Sequence, residues 1–236
     1  MVIVPSIDVR GGRLAYRGGV GADRDPRDVA ARYVTDGAEE LHLVDLDAAE
    51  GSQATNFAIL GEIARNSRAR CRLAGGVATL EKARTAQEAG FAGVLFSSAV
   101  FGDDVLLRKC ARIPGAIVEI ESRDGKIAPR GGPADLVMYA AGMDTEAAAR
   151  TAALHGVRDL YVIDVATDGR LSGPPLALLE QLRRAAGPRV SFHTGGGVRD
   201  LNDVRALADW GVASVVIGRA FLEGNMTLAE AKAACA

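Results

Sequence analysis

The chain has few cysteines, almost no net charge and no long apolar run, and each lack excludes a class of protein. Its three cysteines (Cys71, Cys110, Cys235) stand far apart with no CxxC pair. That excludes a disulfide framework or thiolate zinc site and points to reduced thiols. No His/Cys spacing supports a metal ion. Lysine and arginine number 28 against 30 acidic residues, a net charge of −2, so no basic field favours nucleic acid or an anionic membrane. No segment approaches the roughly 20 apolar residues of a membrane span. The opening MVIVPSIDVR is apolar but short, contains Pro5 and runs into charge, so it reads as a core strand rather than a leader. A cytoplasmic monomer is the expectation.

What is abundant is glycine, 28 residues in 236, placed at regular turns rather than in low-complexity tracts. The placement repeats. Residues 75–103 align without a gap on 196–224, an offset of 121, and nine positions are identical, from Gly75/Gly196 and Gly76/Gly197 to Ala99/Ala220. An internal repeat at half the chain length implies two similar halves. No linker divides the chain, so residues 1–236 are expected to form one domain.

Short apolar runs at 2–8, 40–45, 70–74, 93–97, 116–121, 159–164, 189–193 and 213–217 read as strands. Amphipathic stretches at 26–37, 57–66, 79–89, 144–155, 174–186 and 200–210 read as helices. Asp25, Thr79, Gly173 and Asp200 stand at predicted helix starts, and Gly37, Gly90, Gly156 and Gly211 at predicted ends. Continuous apolar strands alternating with helices imply a parallel sheet. An open doubly wound sheet fits that pattern, but eight units in two halves favour a closed (β/α)8 TIM barrel, α/β in class. In such a barrel the C-terminal strand ends carry the active site.

Those ends separate two chemistries. Strands one, two, five and six finish in acids: Asp8, Asp45 with Asp47, Glu119 with Glu121, and Asp164 with Asp168. Two carboxylates across a barrel mouth can act as general base and general acid when their environments differ. Equally, Asp168-Gly169 is a common turn and Asp8 could merely pair with Arg10. Strands three, four, seven and eight finish in Gly75-Gly76, Ser97-Ser98, Thr194 with Gly195–Gly197, and Gly218-Arg219. Glycine turns let backbone N–H groups approach an anion, and arginine adds charge. Two facing cradles suit a substrate with a phosphate at each end. The first cradle is the weaker, because Ala78 and Ser97 stand where the second has Arg199 and Gly218. His193, ending strand seven, is either a packed histidine or a ligand contact.

PSIDVRGGRL (5–14), LHLVDLDAAEG (41–51), DVATDGRLSGP (164–174), GGGVRD (195–200) and VVIGRAFLEG (215–224) resemble the phosphoribosyl isomerases of histidine biosynthesis (ProFAR isomerase type). LVDLDAA is nearest the actinobacterial branch, whose members also isomerise phosphoribosylanthranilate in tryptophan biosynthesis. The resemblance implies a cofactor-free Amadori rearrangement of an aminoaldose to an aminoketose. It carries the general base onto Asp8 and the general acid onto Asp168. It carries one phosphate site onto Gly196, Gly197, Gly218 and Arg219, and the other onto Gly75, Gly76 and Ser98. Arg17, Asp45, Glu119, Glu121, Arg130, Asp164 and Thr194 are auxiliary candidates. Departures from the family fall on strand five, where Glu replaces Asp, on the first cradle, and on the loop 124–135, which keeps Arg130 but lacks an aromatic residue. They suggest a substrate range shifted toward phosphoribosylanthranilate. The related cyclase is disfavoured because the strand-one loop has no lysine, and a catalytically silent barrel that binds a phosphorylated metabolite is the alternative.

Overall fold

The computed structural model describes residues 1–16, 19, 21–52 and 55–235. Eight parallel strands close into a barrel: β1 (Val2–Arg10), β2 (Glu40–Asp45), β3 (Arg70–Ala74), β4 (Gly93–Phe96), β5 (Ala116–Arg123), β6 (Asp159–Asp164), β7 (Ser191–Gly195) and β8 (Ser214–Ile217). Closure is made by β1 against β8, with Val2 opposite Ser214 and Pro5 opposite Ile217. This is the (β/α)8 barrel the repeat implied. The half-barrel relation extends to detail. Both β1 and β5 fold back on a two-residue antiparallel partner, Arg13–Leu14 and Lys126–Ile127, placing a hairpin at the same point of each half.

The apolar surface divides into two cores. One lies between the strands and the surrounding helices. The other fills the barrel interior with Val4, Ala74, Leu95, Ile117, Tyr161, Ile163 and Val216. Inward residues follow the strand period of two, so Ser6 and Asp8 share a face of β1, as Glu119 and Glu121 share one of β5.

Several local signals act as the sequence suggests. Asp25, Thr79 and Asp200 accept backbone hydrogen bonds as N-caps of Pro26–Thr35, Leu80–Glu88 and Leu201–Trp210. Gly37, Gly90, Gly156 and Gly211 all have positive φ. The helix expected from 174 instead starts at Leu176, because Pro175 disfavours helical backbone at the residue before it. Strand seven runs 191–195 rather than 189–193, which puts His193 mid-strand. The helices Asp104–Cys110 and Ala134–Ala140 were not anticipated.

Candidate active site

A cavity of about 390 Å³ opens at the C-terminal ends of the strands. Asp8, Glu119, Glu121, Arg130 and Asp168 line it, together with Gly75, Gly76, Gly196, Gly197, Gly218 and Arg219.

Asp8 is placed by the pleat of β1, which turns it and Ser6 to the same face. The Ser6 hydroxyl donates to Asp8 Oδ1, and the Asp8 backbone N–H donates to the Tyr16 hydroxyl, 3.2 Å away. Tyr16 is itself buried and donates to the Ser6 carbonyl. No hydrogen bond holds Asp8 Oδ2 among the described residues. Burial pushes the Asp8 carboxyl up from 3.8 to about 6; Ser6 opposes this, the negative Asp168 adds to it and Arg130 offsets part. Arg10 does not pair with Asp8. It forms an ion pair with Glu50.

Across the mouth, Arg130 ties two acids together. Its Nε donates to Glu121 Oε1 and its Nη1 to Asp168 Oδ2, each at 2.7 Å. Glu121 is nearly inaccessible, and its Oε2 also accepts from the Ser98 hydroxyl at 2.6 Å. Glu119 lies deeper on the same strand face. Desolvation and the neighbouring Glu121 charge raise its carboxyl well above the usual range. His42 also faces the cavity, stacked on Tyr161 with ring centroids 5.6 Å apart. Burial and the Arg72 charge keep it neutral.

The glycine turns form two recesses on opposite sides. Gly76 and Gly197 both have positive φ, and a Cβ on either would run into a carbonyl, that of Ala48 or of Gly173. Only glycine fits such an approach. Arg219 reaches the second recess while its Nε bonds Glu223 at 2.6 Å and its Nη1 the Gly169 carbonyl at 3.0 Å. The Ser97 hydroxyl donates to the Gly131 carbonyl at 2.7 Å, on the loop that bears Arg130.

Four expected site residues are not brought to the cavity wall. Ser98 is fully buried and spends its hydroxyl on Glu121. Thr194 donates to the Val162 carbonyl at 2.7 Å. Asp45 caps the turn after β2 and holds Thr55 and Asn56. Asp164 accepts from the Ala166 N–H and shapes the turn that carries Asp168. His193 sits at the barrel floor, bonded to Ser214 and Asp159. Arg17 lies outside the described residues. One contributor escaped sequence reading: Ser6, which lines the cavity and was signalled only by its i, i+2 relation to Asp8.

A closed barrel whose mouth sets a desolvated carboxylate opposite a second, arginine-held one has the groups that proton-transfer chemistry needs. Residues 2–227 match the family model described as histidine biosynthesis protein. Relatives named 1-(5-phosphoribosyl)-5-((5-phosphoribosylamino)methylideneamino) imidazole-4-carboxamide isomerase are similar along their whole length. The protein from Roseiflexus sp. is 34% identical, covering 99% of both chains. That from Rubrobacter xylanophilus is 36% identical over 99% of this chain and 96% of its own, and that from Dehalococcoides mccartyi 31% over 97% and 94%. The chain belongs to the histidine biosynthesis protein family.

Proposed function

We propose that the protein isomerises the bisphosphorylated aminoaldose for which these relatives are named, with Asp8 as general base and Asp168 as general acid. The observation that carries the reading is the state of Asp8, whose carboxyl sits near pH 6 with one oxygen held by Ser6 and the other uncommitted. A base of that strength is ionised at neutral pH yet accepts a proton readily. Its twin across the mouth, Glu121, has both oxygens occupied.

Asp168, in its protonated form, gives its proton to the ribose ring oxygen, and the C1–O bond opens to a protonated Schiff base. Asp8 then removes the proton on C2, whose C–H electrons move into the C1–C2 bond and neutralise the iminium. The resulting enolamine takes a proton at C1 and loses one from the C2 hydroxyl, giving the aminoketose. Electrons move only within the substrate, so no cofactor enters. Gly196, Gly197, Gly218 and Arg219 receive the phosphate of the reacting ribose, and Gly75 and Gly76 the distal one, which fits the two recesses and the two phosphoribosyl groups in the relatives' name.

Steady-state isomerisation of the bisphosphate and of phosphoribosylanthranilate, each with Asp8→Asn beside it, tests this. Turnover of the bisphosphate, lost by about 10²–10⁴-fold in the variant, is expected. Turnover of phosphoribosylanthranilate alone would instead mean that the enzyme has narrowed to a one-phosphate substrate. No turnover of either would favour a silent binding barrel.

A further inference from the structure

The offset of 121 superposes two residue pairs one helical turn apart, Arg199 with Asp203 and Ala78 with Lys82. In the second half the pair closes on itself. The backbone N–H and Nε of Arg199 both donate to Asp203 Oδ2 at 2.8 Å, and Nη2 donates to Oδ1 at 2.7 Å. The carboxylate is buried, and the two charges cancel. In the first half the arginine has become alanine while the aspartate has become lysine. Position 78 alone suggests a lost cation; the pair together goes from net zero to net +1.

The lysine is directed at the recess. Lys82 Nζ donates to the Gly76 carbonyl at 3.0 Å, and no carboxylate pairs with it among the described residues. It lines a smaller cavity of about 240 Å³ with Gly76, Ala78, Gly132 and Pro133. Gly76 belongs to this cavity and to the central one, so a cation at its carbonyl stands at the first recess's edge. Ala78, being small, leaves the space that an arginine would fill. Lys82 lies in the first turn of Leu80–Glu88, where the helix dipole also favours an anion.

We propose that Lys82 is the specificity-determining cation of the first recess, binding the substrate's distal phosphate in place of an arginine. On binding, Nζ exchanges the neutral Gly76 carbonyl for a phosphate oxygen, a stronger charge-assisted bond. The carbonyl contact holds the flexible stem near its working position beforehand, which lowers the ordering cost. The proposal rests on the bisphosphate reading above.

The test compares Lys82→Met, which keeps the stem, and Lys82→Arg with the parent enzyme. The readouts are steady-state kinetics and calorimetric titration of the bisphosphate and of phosphoribosylanthranilate. Lys82→Met is expected to raise KM and Kd for the bisphosphate about 10- to 100-fold with kcat little changed. Constants for the one-phosphate ligand should stay within about twofold, and Lys82→Arg should recover most of the loss. Unchanged bisphosphate constants in Lys82→Met overturn the proposal, as does an equal loss for both ligands. If the parent binds the bisphosphate without turning it over, a Lys82-dependent Kd still supports the proposal while the isomerase reading fails. If it turns the bisphosphate over and Lys82→Met matches it, the reverse holds.

Discussion

Replacing Asp8 by asparagine should lower turnover by about 10²–10⁴-fold and, at neutral pH, make the protein more stable. An ordinary carboxyl titrates near 3.8, whereas burial moves that of Asp8 to about 6. The native state therefore binds this proton more tightly than the unfolded chain does. Between those values, lowering the pH adds a proton to the folded form before the unfolded one, so stability rises as pH falls from about 7 toward 4. At neutral pH both states are ionised, and the native state bears the desolvation of an anion. At roughly 1.4 kcal/mol per tenfold change in proton affinity, that cost is up to about 3 kcal/mol. Solvent reaching the open mouth lowers it to about 1.5–3 kcal/mol.

Asparagine keeps the shape and retains an oxygen to accept from Ser6, and it carries no charge to desolvate. Urea denaturation of both proteins between pH 4 and 8 should show the variant ahead by about 1.5–3 kcal/mol at pH 8, with the gap closing toward pH 4. In the parent, kcat/KM should fall about tenfold per unit below an apparent pKa near 6. Parallel stability curves, or an acid limb near 4, would refute the assignment of a desolvated base.

Arg130→Met leaves the nearly inaccessible Glu121 without its cation, so a loss of about 3 kcal/mol is expected. Because Arg130 also lowers the Asp8 carboxyl, the acid limb of kcat/KM should move to higher pH. Thr194→Val removes the buried bond to the Val162 carbonyl and should cost about 1 kcal/mol in urea while leaving KM and kcat unchanged; a KM effect would return Thr194 to the site. Gly197→Ala forces a Cβ onto a positive-φ position against the Gly173 carbonyl. A loss of about 2–4 kcal/mol by thermal or urea melting is expected, with weakened phosphate affinity in the folded fraction.

The barrel was legible because its signals are local and agree with one another. Apolar runs, capping acids and positive-φ glycines recur in phase, and the repeat counts them twice. Of the site, the residues on inward-facing strand positions were legible and several at the ends were not. Val44 and Ile163 line the cavity, so the pleat turns their neighbours Asp45 and Asp164 elsewhere. Parity would have excluded both, but only once the register was known, and strand ends are where sequence fixes register least. Ser98 and Thr194 show the same limit from another side. Their hydroxyls were equally suited to a ligand or to a buried protein partner, and only the packing chose. The charge proposed at Lys82 is invisible to a comparison of single repeat positions, because charge at a helix start is a property of the i, i+4 pair.

The same twofold relation bears on why Asp8, among the described mouth carboxylates, is the one proposed to abstract a proton. Each half places an acid just before its hairpin, Asp8 ahead of the Arg10–Arg13 rung and Glu121 ahead of the Arg123–Lys126 rung. Each acid also accepts from a buried serine, Ser6 or Ser98. The difference is the cation. Arg130 saturates Glu121 and spans to Asp168, while Asp8 forms no ion pair among the described residues, and burial outweighs the opposing Ser6 bond and Arg130 charge. A shared architecture thus yields unequal carboxylates, one strongly hydrogen-bonded anion that anchors the arginine and one desolvated base. Transplanting that cation to the Asp8 side would give a well-paired carboxylate there too, with a depressed proton affinity and little capacity to take the C2 proton.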